Sequence, residues 1–104
     1  MRIIVLFNLK PGVSAADYEE WARTRDIPGV RSLPSIDSFR VFRSTGLLGQ
    51  PGAAAPYAYV EVLDIIDIDG FWKDAAGDAS RKVAAEMRDY VDGAPVFITT
   101  DEVF

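Results

Sequence analysis

With neither histidine nor cysteine among its 104 residues, this chain must move protons with carboxylates, tyrosine, arginine, lysine, amides or ordered water. Composition alone excludes a Ser-His-Asp triad, a thiolate nucleophile, Cys-ligated zinc and a haem held by histidine. The carboxylate in the most unusual setting is Glu61, in a segment where Tyr57, Tyr59 and Glu61 alternate with Ala58, Val60 and Val62. Side chains alternate across a strand, so Glu61 shares a face with two aromatic rings. A carboxylate placed there is desolvated, its pKa rises unless it is paired, and it then suits general acid or base work. A structural ion pair with Arg40 or Arg43 is the competing reading. Tyr59 serves as a proton donor or as an aromatic wall. Arg40, between Phe39 and Val41, offers a planar fork for an enolate, phenolate or carboxylate, or else a rim salt bridge. Asn8 offers a hydrogen bond to a ligand oxygen, or to a loop backbone.

The elements that must position these groups follow from pattern. Residues 2–9 are a compact apolar run read as a buried strand, ended by Lys10-Pro11-Gly12. Ser14 is a helix N-cap, and Ala15, Tyr18, Trp21 and Ala22 recur at helical spacing to about Arg25; Pro28 and Gly29 interrupt this helix, and the segment to Leu33 continues as a loose turn or a second short helix. A second strand runs over Ile36–Arg43. A Gly- and Pro-rich loop over 44–56 leads to a third over Tyr57–Leu63. Asp67 caps a short helix bearing Phe71 and Trp72 that Gly77 ends, and a last helix spans Ala79–Val91. Pro95–Thr100 is the final strand. Tyr18, Trp21, Phe71 and Trp72 read mainly as core, with Trp21 also a candidate ligand contact.

The order β-α-β-β-α-β is that of an α+β, ferredoxin-like fold: a four-stranded antiparallel sheet with helices on one face. At this length it is one domain, residues 1–104. The first strand is apolar on both sides, and one helix layer buries only one sheet face. If Val60 and Val62 meet the helices, Tyr59 and Glu61 point to the other face, which a second copy of the chain would cover to make a closed α/β barrel.

Charge narrows the partners. A net charge of −5 without a basic run argues against nucleic acid and anionic membrane surfaces. No stretch approaches the roughly 20 apolar residues of a membrane span, and the start reads as a strand rather than a signal peptide. Cytoplasmic residence is the expectation. Glu19-Glu20, Asp67/Asp69 and Asp101-Glu102 read as solvated faces and caps rather than metal ligands. No phosphate-binding glycine motif is present. No cofactor and no metal are expected.

The stretch WARTRDIPGVRSLPSIDSFR (residues 21–40) resembles the dimeric α/β barrel superfamily, in which a Trp-bearing helix runs into an LPxI-type second strand. More narrowly, IIVLFNLKPGVSAADYEEWA, RDIPGVRSLPSIDSFRVFRS and PYAYVEVLDI resemble the RedY/HapK-like proteins, found with pigment and other aromatic natural-product pathways. The likeness runs over nearly the whole chain. It implies a homodimer with a small aromatic ligand, in a superfamily that hosts monooxygenases, polyketide cyclases, dehydratases and non-catalytic members. EthD-like relatives carry a W…HxP pattern whose histidine position, two residues before Pro28, is Asp26 here. The likeness thereby makes Asp26 a candidate acid or base, with Arg25 beside it a candidate ligand contact; otherwise both read as solvated charges at a helix end. The expected function is a cofactor-independent lyase, a dehydratase or dehydrating cyclase, acting on an aromatic, polyphenolic or pyrrolic intermediate. Glu61, Asp26 and Tyr59 are its expected catalytic groups. Asn8, Arg40, Trp21 and Arg25 are its expected substrate contacts. The alternatives are a non-catalytic carrier for a pigment precursor and a cofactor-free monooxygenase.

Overall fold

The computed structural model describes residues 1–104. Its first strand, β1 (Arg2–Phe7), buries Ile3, Val5 and Phe7 in strict alternation. Ser14 then caps α1 (Ala15–Trp21), its side chain accepting the Asp17 N–H at 3.1 Å. The helix does not stop near Arg25. It widens into a π turn over Ala22–Asp26, where the N–H of Ile27 reaches back five residues to the Ala22 carbonyl, and continues as α2 (Ile27–Arg31). Pro28 explains the widening: an α-helical turn would drive its ring against the carbonyl four residues earlier and leave that carbonyl without a donor. A looser turn absorbs the proline, and the segment beyond it continues as a second short helix, one of the two continuations expected.

After α2 come β2 (Ile36–Arg43), β3 (Tyr59–Ile65), α3 (Ile68–Ala75), α4 (Asp78–Met87) and β4 (Val96–Thr100). The sheet order is β2-β3-β1-β4 and every pairing is antiparallel. This is the expected α+β, ferredoxin-like arrangement. Asp67 caps α3 by accepting the N–H groups of Asp69 and Gly70. Phe71 packs against the core, whereas Trp72, expected there too, is 65% exposed. No helix is long and apolar enough to cross a membrane.

β3 begins and ends two residues later than the expected Tyr57–Leu63. Tyr59, Glu61, Leu63 and Ile65 are all buried and lie with Ile3, Val5 and Phe7 under the helices. The expectation that Val60 and Val62 meet the helices is therefore reversed. Those two share the open face with Ile4, Leu6, Arg40, Phe42 and Ile98, as the register of the four strands requires. The helices also leave the helix side of β4 bare, where Phe97 is 64% exposed.

Candidate active site

Two carboxyl groups meet in the layer between sheet and helices. Asp26, the last residue of the π turn, points inward and is 5% exposed; Glu61, in the middle of β3, is also 5% exposed. They lie within hydrogen-bonding reach of one another. No protein donor reaches Asp26 Oδ2 or Glu61 Oε2. Two carboxylates cannot bond to each other, but a carboxylic acid and a carboxylate can, so the pair is satisfied when it holds one proton. Burial raises the pKa of both groups. For Glu61 the charge of Asp26 and the bond to it raise the pKa further, whereas for Asp26 the bond to Glu61 lowers it. Burial thus favours a protonated carboxyl at this pair, with the stronger upward push on Glu61.

The π turn accounts for the pairing. Tyr18, Ala22 and Asp26 recur at intervals of four and are all buried, forming one stripe of the helix against the sheet. Ala22 adds little bulk between the larger two. Around them is an aromatic wall: the Tyr59 ring stacks on Phe7 with centroids 5.4 Å apart, and Tyr18 lies 4.7 Å from Tyr59 and 5.5 Å from Phe7. Trp21 stacks on Tyr90 at 5.3 Å. In this dry setting each carboxyl feels its partner far more than it would in water.

The other expected site residues separate from the pair. The Tyr59 hydroxyl donates to Glu19 Oε2 at 2.7 Å, an oxygen that also faces Arg43 at 3.4 Å, and burial with this bond pushes the phenol up to about 12. Its ring belongs to the site, while its hydroxyl is engaged at the rim. Trp21 is buried, with its indole N–H donating to Glu86 at 3.0 Å. Arg25 forms a two-pronged pair with the same Glu86, at 2.9 and 2.6 Å. Asn8 donates to the Pro56 carbonyl and accepts the Ala58 N–H, fastening the start of β3 to β1. Arg40 lies on the open sheet face, its guanidinium 5.6 Å from the Phe42 ring centre. Its partners are not those expected: neither Arg40 nor Arg43 pairs with Glu61, because Glu61 points to the helices.

Two residues of the site were not singled out from sequence. Glu86 anchors both Trp21 and Arg25, and nothing in its local pattern marks it. Tyr18 was legible only as core, although its four-residue spacing through Ala22 to Asp26 is visible in the sequence.

The model of the family described as REDY-like protein HapK matches residues 1–103. The chain belongs to this family. Among solved structures, HapK from Hahella chejuensis is 24% identical, with 100% of this chain and 96% of that one covered and a TM-score of 0.74. SnoaB from Streptomyces nogalater, described as a cofactor-independent oxygenase, is 15% identical over 98% of this chain and 93% of its own, with a TM-score of 0.70. A dimeric ferredoxin-like protein of unknown function from Thermobifida fusca is 22% identical over 95% and 89%, TM-score 0.70. At these identities the structures share the fold. No curated protein matches the chain in sequence.

Proposed function

We propose that this protein is a cofactor-independent lyase that removes water from an aromatic or polyphenolic β-hydroxy carbonyl compound, with Asp26 as base and Glu61 as acid. The observation that carries this reading is the buried pair of carboxyl groups within hydrogen-bonding reach of each other, with no other donor on Asp26 Oδ2 or Glu61 Oε2; one proton shared between them satisfies both. Dehydration needs both forms at once. The Asp26 carboxylate takes the proton from the carbon beside the carbonyl, and the freed electron pair forms the C=C bond. The C–O bond at the β carbon breaks, and the Glu61 carboxyl gives its proton to the departing oxygen, which leaves as water. The pair still holds one proton, now on Asp26, and the hydrogen bond between the two carboxyls returns it to Glu61. Nothing is oxidised, so no cofactor is required. The aromatic wall of Phe7, Tyr18 and Tyr59 supports an aromatic substrate, and membership of the HapK family fits small-molecule biosynthesis.

The protein works as a homodimer in this reading. The open sheet face carries apolar side chains from all four strands (Ile4, Leu6, Phe42, Val60, Val62 and Ile98), and a second copy covers them most economically. The Thermobifida fusca relative is itself described as dimeric.

The test is anaerobic incubation with β-hydroxy aryl ketones, followed by mass spectrometry. A product lighter by one water, lost in Asp26→Asn and Glu61→Gln, is expected. Turnover that survives both substitutions together would overturn the assignment. Turnover that requires and consumes oxygen would make the protein a cofactor-independent oxygenase, the activity named for SnoaB. Retention of the unchanged ketone on the dimer would make it a carrier.

A further inference from the structure

Tyr18 is the most completely enclosed side chain of the protein, at 0% exposure, yet its hydroxyl has no hydrogen-bond partner. Phenylalanine would fill the same space without leaving a buried donor unmade, so packing gives no reason for the oxygen. The ring is fixed from three sides, by Phe7, Tyr59 and Tyr90, with centroids 5.5, 4.7 and 6.2 Å away. Its helix carries Asp26 two steps further along the same buried stripe, and Glu61 lies two residues from Tyr59 on the same strand face. Of the four buried side-chain oxygens that lack partners, Tyr18, Asp26 and Glu61 supply three in this layer; the fourth, Ser35, precedes β2. A proton shared between the carboxyls satisfies them and still leaves the Tyr18 hydroxyl donating to nothing.

Resting on the dehydration reading above, we infer that the Tyr18 hydroxyl is a third catalytic group, the donor that holds the substrate's carbonyl oxygen as that oxygen becomes an enolate. The assignment narrows the substrate class. The ligand must present a carbonyl oxygen to a phenol donor and, two carbons further on, a hydroxyl to a carboxyl, which is the pattern of an aryl β-hydroxy ketone. Burial, and after it the charges of Glu61 and Asp26, raise the pKa of Tyr18. Tyr18 therefore keeps its proton while the carboxyls exchange theirs. A fixed donor in a water-free site suits an oxyanion, because it needs no rearrangement when charge develops.

The variant Tyr18→Phe tests this, with a β-hydroxy aryl ketone as substrate and o-hydroxyacetophenone as a binding probe followed by absorbance. Loss of one oxyanion donor is expected to lower kcat roughly 100-fold or more, with KM changed far less. The melting temperature should stay level or rise, since an unpartnered buried hydroxyl has been removed; a merely structural tyrosine would show the opposite pair of results. The probe should bind the wild type at least about ten-fold more tightly than the variant, the equivalent of one good hydrogen bond. Full kcat in Tyr18→Phe, with activity still lost in Asp26→Asn, overturns the role of Tyr18 and leaves the carboxyl pair standing. Full activity in the carboxyl variants overturns the reading beneath it. A wild type that neither binds the probe nor dehydrates the ketone overturns both.

Discussion

The carboxyl pair sets the pH behaviour at the scale of single residues. Glu61 has its pKa raised to about 8 by burial and by Asp26, and that of Asp26 is raised as well. In the unfolded chain both ionise in the ordinary carboxylate range. Between that range and about pH 8 the folded protein therefore binds more protons than the unfolded one, so stability falls as pH rises through the window. Asp64 and Glu86 act in the opposite sense: hydrogen bonds from Arg2 and Ser38, and from Arg25 and Trp21, hold each at about 2. Their contribution is present above the ordinary range and lost as pH falls towards 2. A stability maximum in the ordinary carboxylate range, at about pH 4, follows where the two windows meet. Urea titrations at a series of pH values should show it. In Glu61→Gln the part of the decline between about pH 6 and 8 should disappear, while the part due to buried Asp26 remains below it, so the variant exceeds the wild type most at alkaline pH. An unchanged slope would mean that Glu61 ionises as an ordinary surface carboxylate.

At the scale of elements, the π turn is what brings Asp26 to Glu61. Its hydrogen bonds span five residues rather than four, an arrangement that opens more readily than a regular α-helical turn. Both carboxyls are nearly closed off, so in the proposed dehydration such an opening is the expected way in for a substrate. Amides of 22–27 are expected to exchange faster than those of α1, and to slow when o-hydroxyacetophenone binds. Equal protection along 15–31 would remove the turn as the way in. The cap of α3 is a simpler case. Asp67 satisfies two backbone donors at the helix start, so Asp67→Ala should cost about 1 kcal/mol of unfolding free energy by urea titration, with the activity unaffected.

For the whole molecule, the reversal of sheet faces separates two roles that the sequence pattern merges. The helix side of the sheet carries the carboxyls and the aromatic wall. The open side carries Ile4, Leu6, Val60, Val62 and Phe42, with Arg40 among them, and is the face that the proposed dimer would cover. A charge there should act on assembly before chemistry. Val62→Lys is expected to shift sedimentation from a dimer to a monomer of 11.4 kDa, while circular dichroism keeps the native content of helix and strand. A variant that stays dimeric would place the interface elsewhere, for instance along β4 with its exposed Phe97.

Much of this architecture was legible in the sequence, because periodicity and punctuation are local. The apolar run of β1, the Ser14 and Asp67 caps and the strand over Ile36–Arg43 each depend on neighbours a few residues away. The absence of His and Cys likewise limited any chemistry to carboxylates and hydroxyls, and alternation put Tyr59 and Glu61 on one face. Which face that was could not be read. Val60 and Val62 look as well suited to a helix layer as Tyr59 and Leu63, and only the aromatic packing of Tyr18 against Phe7 and Tyr59 decides between them. Asn8, Arg25 and Arg40 looked equally free to bind a ligand until the fold supplied Pro56, Glu86 and Phe42 as their neighbours. The meeting of Asp26 with Glu61, 35 positions apart in the chain, belongs to tertiary structure for the same reason. It needs a proline to widen one helical turn, and a sheet register to set the opposing strand beneath it.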